Sequence, residues 1–406
     1  MELLETFKVI YLLGAGASLP AKLPDIRTLT NDFFEESKRH FESNEIGNKI
    51  SILKEVTNSH YPERQDLESF MTLTKRLQYG DDYQLFLYKY GQLKNIDHSD
   101  IITINKFAQD FIRAKLEDIN KASADYLSPF QGLINDGSIE IFSLNYDGVI
   151  DLFCENFNIG YSDGFTPFWD PSSFDISNNI VKIFKLHGSL YWFKSTSGKI
   201  VKIPVKGLKL DKVKYISDDL LDEMMIYPTL QKEKYSEIYA WLSNKFVSTL
   251  NQSNLLVVIG YSFRDEDITS NIQQALEYNE DLWTIIVSPN AQTHKDKLAD
   301  NHDIFLRSRI IPINMQIQDV LVRGNLYEFI RILKNNILKE REYFKRQYQV
   351  RAVLSDWRKL IASYISINHT ERNELIEKTL KLHHPTLDID LVIRDGKNMN
   401  HTLWPY

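Results

Sequence analysis

The 406-residue sequence contains one cysteine, Cys154. No disulfide can close within the chain. A zinc ribbon, which takes four thiolates or thiolates with histidines, is excluded as well. Long apolar runs are missing too. Val9 to Leu13 is far short of the roughly 20 residues that span a bilayer, and no other apolar stretch approaches that length. The start, MELLETFKVIYLLGAGAS, has neither the basic flank nor the small-residue cleavage site of a signal peptide. A soluble, cytoplasmic protein is expected. Basic charge is not in excess: 48 Lys and Arg against 55 Asp and Glu leave a net charge of −7, whereas a whole-protein nucleic-acid binder is usually basic. Hydrophobic residues at 43 % supply ample core, so disordered and fibrous classes are excluded.

Short apolar runs are present and regularly placed. Val9–Leu13, Ile139–Leu144, Val181–Leu186, Leu255–Ile259, Trp283–Val287 and Ile310–Ile313 read as buried strands. Between them lie helical patterns, such as Ile238, Trp241, Leu242 and Phe246, and Ile104, Phe107, Ala108, Phe111, Ile112, Leu116 and Ile119. Strands alternating with helices predict an α/β fold, a mostly parallel sheet with helices on both faces. The stretch 28–130 reads as a helical insertion, with a loop around Asp97–Asp100. Residues 316–406 read as a mainly helical C-terminal region after a boundary near 315, rich in Lys and Arg and ending in a hairpin turning at Asp395-Gly396.

In parallel sheets ligands bind beyond the carboxyl ends of strands. Here several strands run into small or polar residues. Gly14-Ala15-Gly16-Ala17-Ser18 follows the first, and such glycines let backbone approach a pyrophosphate that amide groups can hold. A dinucleotide fingerprint would want glycine at Leu19, and the segment Asn31–Glu36, where a second strand's acid is expected, reads as helix. A plain strand–turn–helix corner gives the same glycines. Ser143-Leu144-Asn145-Tyr146-Asp147 follows the second strand; Asn145 offers donors and an acceptor, and an Asx turn is its ordinary explanation. Lys185-Leu186-His187-Gly188-Ser189 places one of ten histidines at a strand end, where it could accept a proton. Gly260-Tyr261-Ser262-Phe263 and Val287-Ser288-Pro289-Asn290 close the series, and Arg264-Asp265-Glu266-Asp267 reads as a helix start.

The run GAGASLPAKLPDIR, Gly14 to Arg27, resembles the sirtuin signature GAGIS…IPDFR in register. Leu144–Asp147, His187-Gly188, Gly260–Ser262 and Ser288–Asn290 follow in the sirtuin order. The resemblance covers about Val9 to Ile313 and is closest to prokaryotic sirtuin-like NADase effectors of anti-phage defence. It implies a Rossmann-like NAD-binding domain over 1–315. It also implies that Gly14, Ala15, Gly16 and Ser18 meet the phosphates and ribose of NAD, with Asp25 and Arg27 on a loop closing over the nicotinamide end. Asp147, Gly260, Ser262 and Asn290 would complete the NAD-binding set. Asn145 would position water and ribose hydroxyls, and His187 would act as base. Ile26 stands where the family has an aromatic ring. In the insertion, Asp66-Leu67-Glu68-Ser69-Phe70 resembles an acidic motif of the group, and an exposed helix face explains it equally well.

The implied activity is NAD+ hydrolysis to nicotinamide and ADP-ribose, with NAD as substrate and no metal. An NADase of this kind implies control by assembly: a homo-oligomer, and a HerA-type hexameric ATPase as partner. The stripe Leu326, Phe329, Ile330, Leu333 and Ile337 would dock on the main domain or on another subunit. Three alternatives stay open. One is an NAD or ADP-ribose sensor without turnover. Another is a protein deacylase, against which Ile26 and the missing zinc site weigh. The third is a nucleic-acid factor using the basic C-terminal helices, where interleaved acids favour a solvated surface instead.

Overall fold

A computed structural model gives the fold. It describes residues 7–42, 45–79, 83–134, 139–166, 168–175, 181–195, 198–203, 220–225, 237–299, 304–322, 326–339, 356, 369–384 and 389. They fall into two units, 1–327 and 328–406.

The first unit carries β1 (Val9–Leu13), β2 (Ile139–Ser143), β3 (Tyr161–Ser162), β4 (Val181–Lys185), β5 (Gly188–Ser195), β6 (Ile200–Lys202), β7 (Leu220–Met225), β8 (Leu255–Ile259), β9 (Trp283–Val287) and β10 (Ile310–Ile313). Seven of them form one sheet in the order β10-β9-β8-β1-β2-β4-β3. All of its pairings are parallel. The six apolar runs are strands as expected, each ending within a residue of the reading.

These runs are mostly apolar because both faces of the sheet are covered. On one face Ile10, Leu12, Phe142, Phe184, Leu256, Val258 and Ile286 pack with Leu242, Phe246, Ile272 and Leu276 from the helices 237–251 and 266–278. Phe142 stacks on Phe184 at 4.8 Å and Phe174 on Phe184 at 4.4 Å. On the other face Tyr11 meets Phe130 edge-on at 5.1 Å.

β1 is the switch point: β2 and β4 are laid down on one side of it, β8 and β9 on the other. Leu13 pairs with Ser143 and with Ile259, and Ser143 pairs with Lys185. Four strands therefore finish in one row. The residues just past them, Gly14, Asn145, His187 and Gly260, are delivered to one rim.

Two parts of the fold differ from the sequence reading. β5, β6 and β7 form an unexpected antiparallel sheet in the order β6-β5-β7. Gly188 to Phe193 of β5 are all buried, so no polar alternation marks the strand, and β6 has only three residues. Asp97–Asp100 is not a loop but a reciprocal helix cap. Asp97 Oδ1 accepts the Asp100 N–H and Asp100 Oδ2 accepts the Asp97 N–H, both at 2.9 Å.

The helical insertion holds α1 (Ile26–His40), α2 (Glu45–His60), α3 (Leu67–Tyr79), α4 (Tyr83–Lys89) and α5 (His98–Leu116). Phe33 is the hub of its core, with Phe70, Phe107 and Phe111 rings 5.5–5.7 Å away.

In the second unit, residues 328–339 and His369–His383 are helical, and His384 Nε2 lies 3.0 Å from Asp356 Oδ2. Of the apolar stripe, Leu326, in the first unit, is buried; in the second, Ile330 and Ile337 are buried, and Phe329 and Leu333 half-buried. The expected hairpin at Asp395-Gly396, and the basic residues Lys345, Arg346, Arg351, Arg358 and Lys359, lie outside the described residues. Among the described residues no helix is long and apolar enough to cross a membrane.

Candidate active site

A cavity of about 210 Å³ opens at the carboxyl ends of β1, β2, β4 and β8. Its floor is two interlocked loops. The Gly14 N–H donates to Ile259 O and the Gly16 N–H to Gly260 O, both at 2.9 Å. A Cβ on Gly14 would stand 2.7 Å from Tyr261 Cα, and one on Gly16 2.7 Å from Gly260 Cα. Gly260 itself has φ +65°, and a Cβ there would meet Ala17 N at 2.2 Å. The amides of Ala17 and Ser18 donate back to Gly14 O and Ala15 O. The amides expected to hold a phosphate are therefore largely taken by the loops themselves, and the glycines serve close backbone approach. Gly260→Ala is expected to cost at least about 2 kcal/mol, since left-handed backbone and overlap add. Urea denaturation checks this, and a midpoint equal to wild type would contradict it.

Asn145 sits on that floor. Its Nδ2 donates to Gly14 O and to Ser18 Oγ, each at 3.0 Å. With a carbonyl as one partner, the nitrogen must be the atom on that side, which leaves Oδ1 as the side chain's acceptor. The Ser18 hydroxyl in turn hydrogen-bonds the Asp147 carboxyl. Asp147 is buried, which pushes its carboxyl above the usual range, and it accepts the Val149 N–H at 3.0 Å. Tyr126 reaches in from the far face and donates to Ala17 O at 2.5 Å.

Behind this lies a buried ionic chain. Lys185, fully buried at the end of β4, donates to Asp147 O at 2.5 Å and pairs with Asp151 Oδ2 at 2.8 Å. Lys202 of β6 holds the other Asp151 oxygen at 2.7 Å and also pairs with Asp163. Burial alone would raise the Asp151 carboxyl, but the two lysines hold it far below the usual range.

His187 follows Lys185 by two residues and is buried in the cavity wall. Its Nε2 lies 3.0 Å from Asp265 Oδ2.

The insertion closes the opposite wall. Leu67, Glu68 and Met71 of α3 and Ile112 and Leu116 of α5 line the cavity. The segment before α3 is tied across the mouth: Arg64 bonds Arg264 O and pairs with Glu266 at 3.0 Å, while Arg264 pairs with Asp66 at 3.4 Å. The acidic motif 66–70 is thus not an exposed face. Asp66 Oδ1 accepts the Ser69 N–H at 3.0 Å, and Leu67, Ser69 and Phe70 are buried.

Burial pushes the Glu68 carboxyl up to about 8, with Asp66 adding to the shift and Arg264 opposing it. The folded protein then keeps a proton that the unfolded chain loses above about pH 4 to 5. Stability falls as pH rises from there through about 8. Glu68→Gln removes that penalty. Its melting temperature is expected to exceed wild type at pH 8.5 and to match it at pH 5; the same difference at both values would rule this out.

Of the residues singled out in the sequence, Gly14, Ala15, Ser18, Asn145, Asp147, His187, Gly260 and Ser262 meet at this cavity. Ile26 is in its wall too. Gly16 lies beneath, against Gly260. Asp25, Arg27 and Asn290 are not among the lining residues. Asp25 caps α1, accepting the Thr28 N–H at 2.8 Å; Arg27 is exposed in the first turn; Asn290 is exposed at the start of the helix 291–298. Lys185, Arg64 and the second oxygen of Asp265 were not singled out. Nothing local in Val181–Lys185, whose sequence is VKIFK, marks Lys185 as part of an ionic chain.

Residues 139–306 match the family model described as SIR2-like domain. No curated protein matches the sequence. Among solved structures, an ADP-ribose complex of a mutant Sir2 homologue aligns at 12 % identity over 80 % of this chain and 93 % of its own, with a TM-score of 0.38. A Sir2 homologue–NAD complex aligns at 12 % identity over 81 % and 90 %, with a TM-score of 0.36. From β2 into the helix Ile304–Ser308, over residues 139–306, this chain is similar to the SIR2-like domain family.

Proposed function

We propose that this protein binds NAD+ and hydrolyses its nicotinamide–ribose bond. The observation that carries the reading is the meeting of Asn145, Asp147 and His187, from β2 and β4, with the Gly14–Ser18 loop on one cavity. The match of residues 139–306 to SIR2-like domains supports it.

Nicotinamide is a good leaving group because its ring nitrogen takes the bonding pair and loses its positive charge. The transition state gathers positive charge at C1′, and the protein's task is to hold the ribose and water in line. Asn145 Oδ1 accepts from that water or from a ribose hydroxyl. The water oxygen bonds to C1′ as the C1′–N bond breaks, and its proton passes to His187. The products are nicotinamide, ADP-ribose and a proton. The Asp147 carboxyl, reached through Ser18, steadies the floor under Asn145.

The proposal extends to NAD depletion in anti-phage defence, by a cytoplasmic homo-oligomer working with a HerA-type hexameric ATPase, the region 316–406 forming the assembly surface. Sequence resemblance and chain length support that part. A second reading is binding without turnover. It is favoured by one detail: the Asn145 amide nitrogen is already committed to Gly14 and Ser18.

The deciding experiment is chromatographic NAD loss and nicotinamide release by wild type and His187→Ala, each with and without the ATPase. Consumption by wild type alone upholds the hydrolase. Tight NAD binding with no consumption by any preparation moves the assignment to the sensor.

A further inference from the structure

His187 and Asp265 are 78 positions apart in sequence, yet His187 Nε2 and Asp265 Oδ2 are 3.0 Å apart. Their side chains are only 5 % and 9 % exposed. Asp265 divides its oxygens between two tasks. Oδ1 accepts the N–H groups of Asp267 and Ile268 at 3.1 and 3.2 Å, capping the helix Glu266–Tyr278. That cap needs one oxygen, which asparagine or serine supplies equally well. The second oxygen is turned to His187.

Two amide donors and the N-terminus of a 13-residue helix favour Asp265 as the anion. An ionised carboxylate is an acceptor only, so the ring nitrogen facing it must carry the hydrogen. Nδ1 is then the lone-pair nitrogen. Among the described residues no group is hydrogen-bonded to it, and His187 stands in the cavity wall beside Tyr146.

We propose that Asp265 is the positioning residue of His187: it fixes the Nε2–H tautomer and leaves Nδ1 as the acceptor in the cavity. The consequence for reaction rests on the hydrolase reading; the tautomer does not. In that reaction Nδ1 takes the proton of the attacking water, and the imidazolium so formed faces the Asp265 carboxylate until the proton passes to solvent.

Asp265→Asn separates the two tasks. It keeps an oxygen for the cap and sets an NH2 donor against Nε2, which forces the hydrogen to Nδ1. In the full-length protein labelled with 15N-histidine, wild-type His187 is expected to show the Nε2–H pattern and the asparagine variant the Nδ1–H pattern. His187→Gln identifies the resonances. In NAD turnover, Asp265→Asn is expected to lower kcat by on the order of a hundredfold or more, with KM within about threefold of wild type and an unchanged melting temperature.

A wild-type His187 in the Nδ1–H form overturns the proposal whatever the turnover, and that spectrum is read without Asp265→Asn. An asparagine variant that turns over NAD at the wild-type rate overturns it as well. If wild type consumes no NAD but the tautomer switches as described, the hydrolase reading falls and the hold of Asp265 on His187 stands.

Discussion

Lys185→Met is expected to lower the stability of the protein by about 3 to 5 kcal/mol, the cost of breaking a buried ion pair by removing one partner. Lys185 and Asp151 are both fully out of solvent. Methionine fills the volume but leaves one Asp151 oxygen uncompensated and the Asp147 carbonyl without its donor. Lys202 still holds the other Asp151 oxygen, which places the loss toward the lower figure. Domains are stable by only about 5 to 15 kcal/mol, so the change should be plain in a urea titration. Because the lysines depress the Asp151 carboxyl, its contribution is complete above the unfolded value near 4 and is lost only as pH falls through the folded one. The gap between wild type and Lys185→Met should thus be constant from pH 8 to about 5 and narrow below about 4. A gap under about 1 kcal/mol at pH 7 would mean the pair is replaceable by packing alone. Replacing both Lys185 and Asp151 by apolar residues should recover part of the loss, since no buried charge is then stranded.

The second large effect is expected at Asn145. Asn145→Asp keeps the shape and one oxygen but puts an acceptor where Nδ2 donates to Gly14 O and Ser18 Oγ. Gly14 O keeps only the Ala17 N–H and now faces a like dipole. Ser18 can satisfy the new carboxylate only by turning away from Asp147, and a second carboxylate then crowds the buried one. On the hydrolase reading, kcat/KM for NAD should fall by about a hundredfold or more, roughly 2.7 kcal/mol of transition-state stabilisation. Loss of the paired donor should also cost about 1 to 3 kcal/mol of stability. Asn145→Ala should lose as much activity, because the Oδ1 acceptor goes too. Nicotinamide release under steady-state conditions, beside a urea titration, separates the two effects. Activity of Asn145→Asp within threefold of wild type would remove Asn145 from the chemistry.

The sheet was legible because strands buried on both faces are mostly apolar, and six such runs stand apart from their surroundings. The rim was legible for a related reason: a strand that ends at a crevice stops being apolar, as at Gly14, Asn145, His187 and Gly260. What escaped was non-local. Asp265 reads locally as a helix cap, and its cap is real; nothing beside it in sequence announces a histidine 78 residues earlier. Lys185 looks like the polar end of a strand until its neighbours across the fold are seen. Glu68 sits in a short acidic run that suits water as well as a cavity, and only the packing of Leu67 and Phe70 turns it inward. The glycines suggest a cradle for phosphate; the Gly14 and Gly16 amides instead bond the last residue of β8 and the one after it, partners about 245 residues away that no spacing rule reveals.

The meshing of the Gly14–Ser18 and Gly260–Tyr261 loops makes the two ends of the cavity mechanically unlike. The base is already cast, with backbone seated on backbone at separations that forbid sliding. The entrance is latched by guanidinium–carboxylate pairs, one of them with Glu266 80 % exposed, of a kind worth about 1 kcal/mol or less and weakened by salt. A ligand entering here has little main chain to order and only a light gate to lift. Ionic strength should therefore be felt in how fast a ligand arrives more than in how firmly it is kept.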